Sequence, residues 1–211
     1  MFKVQVRFAL LALLLPFLLN ATPHILKDDI LNPQAAKLVE TMAGELLQKT
    51  GINGYVVATN EHFPTGFNLV AYSKKYEANM SKPYVMLIFA PQAKITQKSE
   101  ETGRVALIPS DKAVAAFYDK SDVMDATIDI VATKDKNTKN DKYNIGVVQG
   151  FSELADQIAE SKHVKMTTTM PNETRTIIRV LQVIVIIGAI LVLWVFMLRP
   201  IWMRIKNGKR E

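Results

Sequence analysis

Residues 84–90 read YVMLIFA and lie between Pro83 and Pro91. Seven consecutive apolar residues without a polar break are typical of a strand that is buried on both faces. A buried helix would need ten or more residues, so the length of the run favours a strand. We predict that these residues form the central strand of a sheet with both faces covered.

Shorter patterns on either side complete the predicted sheet. Residues 54–59 (GYVVAT) are rich in β-branched side chains, which favours a strand. Residues 93–98 and 104–108 flank a polar turn that contains Gly103, and this arrangement predicts a hairpin beside the central strand. We therefore expect a small mixed sheet of about four strands.

Helical patterns alternate with these strands. Asn32 and Pro33 suit the N-cap and the first position of a helix that Gly51 ends. The alternation predicts an α/β fold with helices on both faces of the mixed sheet. The predicted helices cover residues 33–50, 67–80, 111–117, 121–131 and 143–161, and residues 133–142 (TKDKNTKNDK) are predicted to form a solvated loop.

The starts and the packing of these helices allow more local predictions. Ser110 is expected to cap the helix that begins at residue 111, and Ser121 and Asp122 are expected to cap the next one. Gly146 and Gly150 stand four residues apart in the last helix of the domain. We expect this spacing to let that helix pack closely against the sheet.

The C-terminal segment of residues 180–198 reads VLQVIVIIGAILVLWVFML, with no charge and one polar side chain, Gln182. A helix of this length spans about 28 Å, close to the roughly 30 Å hydrocarbon core of a bilayer. The following residues 199–211 are basic, with Glu211 as their one acid. The length and apolarity of the segment from Val180 to Leu198 predict that it crosses the lipid bilayer. The excess of positive charge after it predicts that the tail stays in the cytoplasm.

The N-terminus has the pattern of a secretory signal peptide. Lys3 and Arg7 precede an apolar run of twelve residues, 8–19, and cleavage after Ala21 is expected, with an uncleaved anchor as the alternative. Cleavage would give an exported domain with one membrane crossing. The predicted division is a signal peptide 1–21, an exported domain 22–163, a linker 164–176, a transmembrane helix 177–198 and a cytoplasmic basic tail 199–211.

Charge and cysteine content narrow the function classes. Residues 22–176 contain 18 basic and 19 acidic residues, so the net charge of +6 comes from the two ends of the chain. The near-neutral domain gives no support for nucleic-acid binding. The chain contains no cysteine, which excludes thiol catalysis, cysteine-ligated zinc and iron–sulfur clusters. The composition favours a bacterial periplasm, with the chain held in the inner membrane.

Four acids offer a candidate metal site. Asp111, Asp119, Asp122 and Asp125 could together supply the oxygen ligands that calcium prefers, although their spacing matches no EF-hand loop. The alternative is that Asp111 and Asp122 lie in first helical turns, where the helix dipole favours acids, while the other two are solvated. The sequence predicts no cofactor, and calcium is the one alternative that it leaves open.

The remaining short motifs carry little catalytic chemistry. His24, His62 and His163 share no metal-ligand spacing, so surface or loop positions are expected for all three. The sequence has neither a Gly-x-Ser-x-Gly elbow nor a phosphate-binding glycine loop. Residues 77–81 (EANMS) form an Asn-x-Ser acceptor with a preceding acid, the form that some bacterial oligosaccharyltransferases prefer. Asn79 is therefore a candidate glycosylation site.

Three stretches carry a family resemblance: residues 48–59 (QKTGINGYVVAT), 84–91 (YVMLIFAP) and 143–158 (YNIGVVQGFSELADQI). From about Ile30 to Lys162 the chain resembles the TPM domain, an extracytoplasmic module of thylakoid-lumen phosphatase-like proteins and photosystem repair factors. The resemblance implies an αβα sandwich around a four-stranded sheet. It also implies a tether made of a signal peptide and a C-terminal membrane helix.

The chain departs from the family pattern at two places. An Asn-Gly pair usually precedes the buried strand in the family, whereas this chain has Lys82 and Pro83. The hairpin exit of the family is rich in glycine, and here Gly103 alone remains. Some relatives are reported as calcium-dependent acid phosphatases, and these departures put such an activity in doubt for this chain.

Two hypotheses from different classes follow. The first is a non-catalytic, single-pass periplasmic TPM-like domain that serves as an accessory or assembly factor for a membrane protein complex or an envelope protein. The alternative is a calcium-dependent phosphatase-like hydrolase of the cell envelope that uses the four aspartates. A simple membrane-tethered spacer is a third reading.

Overall fold

The computed structural model describes residues 23–98, 101–171 and 173–199 of the 211-residue chain. The predicted signal peptide of residues 1–21 lies outside these ranges, as does the predicted tail beyond Arg199. The chain divides into two compact units, one that ends at Met170 and one that starts at Pro171.

The first unit alternates helices and strands along the chain. A 3-10 helix, Lys74–Asn79, directly follows its second α-helix, so the predicted helix of residues 67–80 is split in two. The strands are β1 (Ile25–Asp28), β2 (Asn53–Ala58), β3 (Tyr84–Lys94) and β4 (Thr102–Pro109), and the helices are α1 (Pro33–Thr50), α2 (Leu69–Ser73), α3 (Lys112–Ala115), α4 (Lys120–Ala132) and α5 (Lys139–Ser161).

The four strands form one mixed sheet in the order β1-β2-β3-β4. Strands β1, β2 and β3 run parallel, with Val56 of β2 opposite Leu87 of β3. Strand β4 runs antiparallel to β3 and places Leu107 opposite Leu87. The predicted α/β class and the mixed four-stranded sheet are confirmed. Strand β1 was not predicted from the sequence. The fourth predicted strand, residues 93–98, is not a separate strand.

Helix α1 begins and ends where the sequence predicts. The side-chain oxygen of Asn32 accepts a hydrogen bond from the backbone N–H of Ala35 at 2.8 Å, which satisfies one of the free donors of the first turn. Gly51 ends the helix with a φ of 72°, a left-handed conformation that glycine adopts without steric penalty. The face of α1 that packs on the sheet carries Val39, Met42, Ala43 and Leu46, all buried.

Both faces of the sheet are covered by apolar side chains. Neighbouring residues of a strand point to opposite faces, so the continuous apolar run of β3 supplies both layers. One face packs against α1 and α5 through residues that include Val56, Leu87, Phe89, Leu107, Phe151, Leu154 and Ile158. The other face packs against α2, the 3-10 helix and the preceding loop through residues that include Tyr55, Met86, Ile88, Phe63, Leu69, Tyr72 and Tyr76.

The central strand is longer than predicted, and the predicted hairpin is misplaced. Strand β3 continues through Pro91 to Lys94, so residues 93–98 are not a separate strand and the hairpin is β3 with β4. The pairing with β4 is irregular between Ala90 and Lys94. A proline is tolerated at such an interruption because the strand needs no ladder N–H there. The expected stop at Pro91 was therefore wrong.

Three helix starts also differ from the predictions. Asp111 and Asp119, rather than Ser110 and Ser121, are the N-caps of α3 and α4. Helix α5 begins four residues early, at Lys139, because Thr138 and Asp141 form a capping box in the stretch predicted to be a loop. In each case the observed N-cap is a polar residue close to the predicted start of the helix. Both residues favour an N-cap position, so the local sequence does not show which of them is used.

Gly146 and Gly150 permit a close approach, but to α4 and not to the sheet as predicted. A Cβ atom on Gly150 would lie 1.8 Å from Oγ1 of Thr127, and one on Gly146 would lie 2.9 Å from the carbonyl oxygen of Thr127. Thr127 itself is fully buried and donates its hydroxyl to the Val123 carbonyl. The absence of side chains at the two glycines therefore allows the middle of α4 to pack closely against α5.

Residues 164–170, hereafter the strap, pack on the domain rather than starting the predicted linker of residues 164–176. Glu45 near the end of α1 accepts hydrogen bonds from the backbone N–H of Thr167 at 2.8 Å and of Thr168 at 2.9 Å. It also accepts from both threonine hydroxyls, at 2.6 and 2.5 Å. The Lys49 ammonium lies 2.7 Å from the same carboxylate.

Further contacts hold the two ends of the strap. Met166 is 4% exposed and belongs to the main apolar core. The hydroxyl of Ser152 in α5 accepts from the backbone N–H of Met170 at 2.7 Å, and the Thr169 hydroxyl donates to Asp156 at 2.8 Å. The packed domain therefore extends to Met170, seven residues beyond the predicted boundary at residue 163.

The second unit begins at Pro171. Helix α6 (Glu173–Leu193) continues into a short π-helical segment, Trp194–Leu198. Large apolar side chains are exposed between Val183 and Phe196, with exposed fractions from 46% at Val195 to 75% at Phe196. Within the described ranges, we find no helix that is both long enough and apolar enough to cross a membrane.

Candidate functional site at the carboxyl edge of the sheet

The carboxyl ends of the parallel strands gather polar side chains at one edge. Asp29 directly follows β1, and Thr59, Asn60 and Glu61 follow β2. Because β1, β2 and β3 run in the same direction, these residues meet at the same edge of the sheet. Ligands of open α/β sheets bind in the crevice outside the carboxyl ends of the strands, so this edge is the first place to look for a site.

Lys27 links the ends of the first two strands. Its ammonium lies 3.2 Å from Oδ2 of Asp29 and donates a hydrogen bond to Oε1 of Glu61. The same Asp29 oxygen accepts from the Thr59 hydroxyl at 3.2 Å and from the backbone N–H of Asn60 at 3.1 Å. The two carboxylates share one cation, and this shared cation fixes the loop after β2 against β1.

Two tyrosines and a second lysine extend this network. The Tyr72 hydroxyl donates to Oε1 of Glu61 at 3.0 Å and lies 3.3 Å from the Tyr76 hydroxyl. The Lys75 ammonium sits 3.6 Å from the centroid of the Tyr72 ring and 3.8 Å from Glu61. A cation over an aromatic face is attracted by the ring quadrupole, so Lys75 closes the network from the helical side.

Four members of the network have pKa values displaced away from neutral pH. The hydrogen bond to Glu61 raises the pKa of Lys27 above its ordinary value, and the same bond lowers the pKa of Glu61. Although burial opposes it, the Asn60 N–H and the Lys27 ammonium lower the pKa of Asp29. Burial raises the pKa of Tyr76 to about 12. None of these four groups is poised to exchange a proton near pH 7, which general acid–base catalysis requires.

A cleft of about 600 Å³ opens beside the network. One wall is the loop after β2, and the other is formed by Gln92 and Lys94 of β3 together with Gln97 and Thr102. The backbone N–H of Lys94 donates to the Phe63 carbonyl at 2.9 Å and pins the two walls together. The cleft is lined by His62, Phe63, Pro64, Thr65, Gln92, Lys94, Gln97 and Thr102.

Aromatic packing stabilises the first wall of the cleft. The rings of Phe63 and Phe67 stack with centroids 4.4 Å apart, and Tyr72 meets Phe63 edge-on at 5.0 Å. Arg104 of β4 donates to the Phe67 carbonyl at 2.7 Å. Such pairs add about 0.5–1.5 kcal/mol each beyond the burial of their area. The loop is therefore held in place by the fold, and the cleft is preformed.

The four aspartates predicted to bind calcium have separate roles. Asp111 accepts from the backbone N–H groups of Ala113 and Val114, and these bonds hold the pKa of Asp111 below its ordinary value. Asp119 caps α4, on which Asp122 and Asp125 also lie. In the parts of the chain that the structure describes, no three His, Asp or Glu side chains come together to hold a metal ion. Calcium binding stays a prediction.

Of the other residues singled out in the sequence, His62 lines the cleft, whereas Asn79, His24 and His163 are not among its lining residues. Asn79 is exposed at the end of the 3-10 helix, and its glycosylation stays a prediction. His62 and His163 are exposed, as expected. His24 is not: it is 6% exposed, and its Nδ1 lies 3.0 Å from Oε2 of Glu40. Two backbone N–H groups, of His24 and Ile25, also donate to Glu40, which draws this histidine into the domain.

Sequence reasoning missed the residues that the structure gathers at this edge. Lys27, Asp29 and Glu61 are separated by up to 34 positions, and no short motif connects them. The one available signal was the position of polar residues along the chain. They follow directly after residues 25–28 (ILKD), which form β1, and after the β-branched run of β2. Recognising ILKD as a strand would have placed both sets at one edge.

Comparison with known proteins adds no assignment. No protein-family model matches the chain. A search of curated proteins also finds no significant match.

The shared cation of the network gives a testable prediction. Replacing Lys27 with methionine is expected to lower the free energy of unfolding by about 1 kcal/mol, because Asp29 and Glu61 lose their common partner while solvent shields part of their charge. Urea denaturation at neutral pH measures the change. Lys74→Met removes an exposed lysine of the 3-10 helix and should stay within about 0.5 kcal/mol of the native chain. Equal stability of both variants would contradict the linking role of Lys27.

Proposed function

We propose that this chain is a membrane-anchored, periplasmic interaction domain that serves as an accessory or assembly factor for a membrane protein complex. The observation that carries the proposal is the preformed cleft at the carboxyl edge of the sheet. The described part of its lining consists of amide and hydroxyl side chains, aromatic and proline surface, one histidine and one lysine. Such a lining suits the recognition of another polypeptide, because amides and hydroxyls both donate and accept hydrogen bonds.

The electrostatics beside the cleft favour binding over catalysis. The pKa values of Lys27, Asp29, Glu61 and Tyr76 are all displaced away from neutrality, so these groups act as fixed charges or fixed dipoles at physiological pH. Fixed charges position a loop or a partner. A general acid or base needs a pKa close to the operating pH.

The membrane anchor is the second part of the proposal. We place the crossing at residues 177–198, with the apolar core 180–198, after a signal peptide that directs residues 22–170 to the periplasm. Exposed apolar side chains between Val183 and Phe196 support it, because contact between a large apolar surface and water is unfavourable, whereas lipid would cover that surface. The basic residues after 198 support a cytoplasmic tail and a location in the bacterial inner membrane.

Family membership completes the proposal. We assign the first unit to the TPM-like domains, on the strength of the three stretches that resemble the family. The order of elements supports the assignment: a helix that ends at Gly51 leads into β2, the buried β3 continues into a hairpin, and a long helix ends the domain. The αβα sandwich that the family implies is proposed with it. The calcium-dependent phosphatase alternative stays a prediction that no described contact favours.

The proposal predicts a stable partner in the membrane. We expect the tagged full-length chain, crosslinked in native membranes and then solubilised in detergent, to recover one recurrent envelope protein at near-equal amounts. The control is the same membrane segment and tail, residues 171–211, fused to an unrelated periplasmic domain. Mass spectrometry should find the partner enriched with the native chain alone. Equal recovery with the control, together with an undisturbed complex after deletion of the gene, would contradict the proposal.

A further inference from the structure

The strap joins the first unit to the second, and most of it can leave the domain without breaking a helix or a strand. Residues 164–170 all lie within the described ranges and adopt neither helix nor strand. Helix α5 ends through its own backbone, because the N–H of Val164 donates to the Ala159 carbonyl at 2.9 Å. The four-stranded sheet includes no residue of the strap. Beyond Val164, the strap is therefore separable from the elements of the fold.

The first attachment of the strap is to α1. The Lys49 ammonium donates to the Lys165 carbonyl at 2.7 Å, and Glu45 accepts from the two threonines as described above. Of residues 165–170, Met166 is the one that belongs to the apolar core. Release of these residues exposes much less apolar surface than opening the core does, so it should need less free energy than global unfolding.

The second attachment of the strap is to α5. The Ser152 hydroxyl accepts from the Met170 N–H at 2.7 Å and lies 3.1 Å from the Met170 carbonyl oxygen. The Thr169 hydroxyl donates to Asp156 at 2.8 Å, and Met170 itself is 40% exposed. Water can replace these hydrogen bonds when the strap leaves, so their net contribution to docking is modest.

Docking turns the chain back along α5. The helix ends at Ser161, yet Met170 is bound at Ser152, nine residues before that end. Nine residues of α-helix span about 14 Å, so the docked strap returns the chain by about that length. In an extended conformation, residues 165–170 would instead span up to about 20 Å. The docked and released states therefore differ in the length of chain that is free to act as a tether.

We propose that the strap is a reversible spacer that sets how far the first unit can move from its anchor helix. The inference rests on the membrane anchor of the proposed function. With the strap docked, residues 171 and 172 alone link the domain to α6, whereas residues 165–172 do so after release. The added length gives up to about 20 Å of reach. A partner that lies beyond the docked reach binds the released state alone, so its binding shifts the equilibrium towards release.

Hydrogen exchange of the full-length chain in lipid nanodiscs, at a series of low urea concentrations, tests whether the strap opens separately. We expect residues 165–170 to exchange through an opening that depends weakly on urea. Residues 147–155 of α5 should exchange with the steep urea dependence of global unfolding. Glu45→Ala should speed exchange of the strap by about 30-fold or more, through loss of charge-assisted hydrogen bonds. Glu77→Ala, at an exposed position, should leave it unchanged.

The distance between two spin labels on one chain tests the change in reach. The native chain has no cysteine, so Lys136→Cys and Val183→Cys together label one exposed position in each unit. In nanodiscs, we expect Glu45→Ala to broaden the distribution of distances and to extend it by up to about 20 Å. The labelled Glu77→Ala chain should keep the distribution of the labelled chain without further substitution.

The outcomes separate the failure of this inference from the failure of the proposed function. Exchange of the strap only through global unfolding overturns the spacer, and so does a distance distribution that Glu45→Ala leaves unchanged. Either result leaves an anchored interaction function in place. A full-length chain that sodium carbonate extracts from native membranes overturns the anchor, and the spacer with it.

Discussion

Replacing Gly150 with alanine is expected to lower the free energy of unfolding by about 1–3 kcal/mol, the usual range for overpacking a tight core. The new Cβ would lie 1.8 Å from Oγ1 and 3.1 Å from Cβ of Thr127. Rotation of the threonine could relieve the first contact but not the second, so α4 and α5 must separate. Thermal or urea unfolding measures the loss, which exceeds the gain of about 1 kcal/mol that alanine brings to a helix interior.

Gly44 provides the matched control on another helix. It lies in the interior of α1, and a Cβ atom added there meets nothing within 4 Å. Gly44→Ala should therefore stabilise the domain by up to about 1 kcal/mol through helix propensity alone. The double variant Gly150→Ala, Thr127→Ala should recover part of the loss, since it removes the oxygen that clashes. An equal increase in the free energy of unfolding for Gly150→Ala and Gly44→Ala would show that α4 does not pack closely against Gly150.

Removal of the Glu45 carboxylate is expected to release the strap and to lower the free energy of unfolding by roughly 2–3 kcal/mol, the scale of breaking charge-assisted hydrogen bonds. The side chain of Glu45 is only 10% exposed and accepts from two backbone N–H groups and two hydroxyls. Glu45→Ala should also speed amide exchange at Thr167 and Thr168. Glu77→Ala, at an exposed position of the 3-10 helix, is the control and should change neither quantity.

The contribution of Glu45 should depend on pH with a defined sign. Although burial favours the neutral acid, the Lys49 ammonium and the hydroxyls of Thr167 and Thr168 hold the pKa of Glu45 well below its ordinary value. A carboxyl group with a depressed folded-state pKa stabilises the fold above its unfolded-state pKa of about 4.3, and this stabilisation declines as the pH falls below that value. The stability difference between the native chain and Glu45→Gln should be larger at pH 7 than at pH 3. A difference that is constant or grows on acidification would contradict the role of the charged form.

Local sequence signals predicted the elements that depend on local chemistry. Asn32, Pro33 and Gly51 set the ends of α1 because each acts through its own backbone or side chain. The apolar run of β3 identified the central strand for the same reason. Pro91 misled because its tolerance depends on an irregularity in the pairing with β4, which is a property of two strands.

Long-range contacts explain what the sequence did not predict. Strand β1 has four residues and becomes a strand through pairing with β2, and Glu40 holds its start. The threonine-rich strap lacks periodicity, yet its main partner, Glu45, lies 122 positions away. The candidate site likewise depends on Lys27 and Glu61, which meet only after β1 and β2 have paired. No pattern within one segment contains this information.

The strap also determines where a recombinant form of the first unit should end. A protein that ends at His163 would lack Met166, so the core residues that Met166 covers would be exposed to water. The Glu45 carboxylate would also lose its threonine donors. A protein cut after Met170 keeps both and stops where the compact unit stops. For crystallisation, antibody production or binding assays, residues 22–170 are therefore the natural recombinant fragment, although sequence patterns alone place the boundary seven residues earlier.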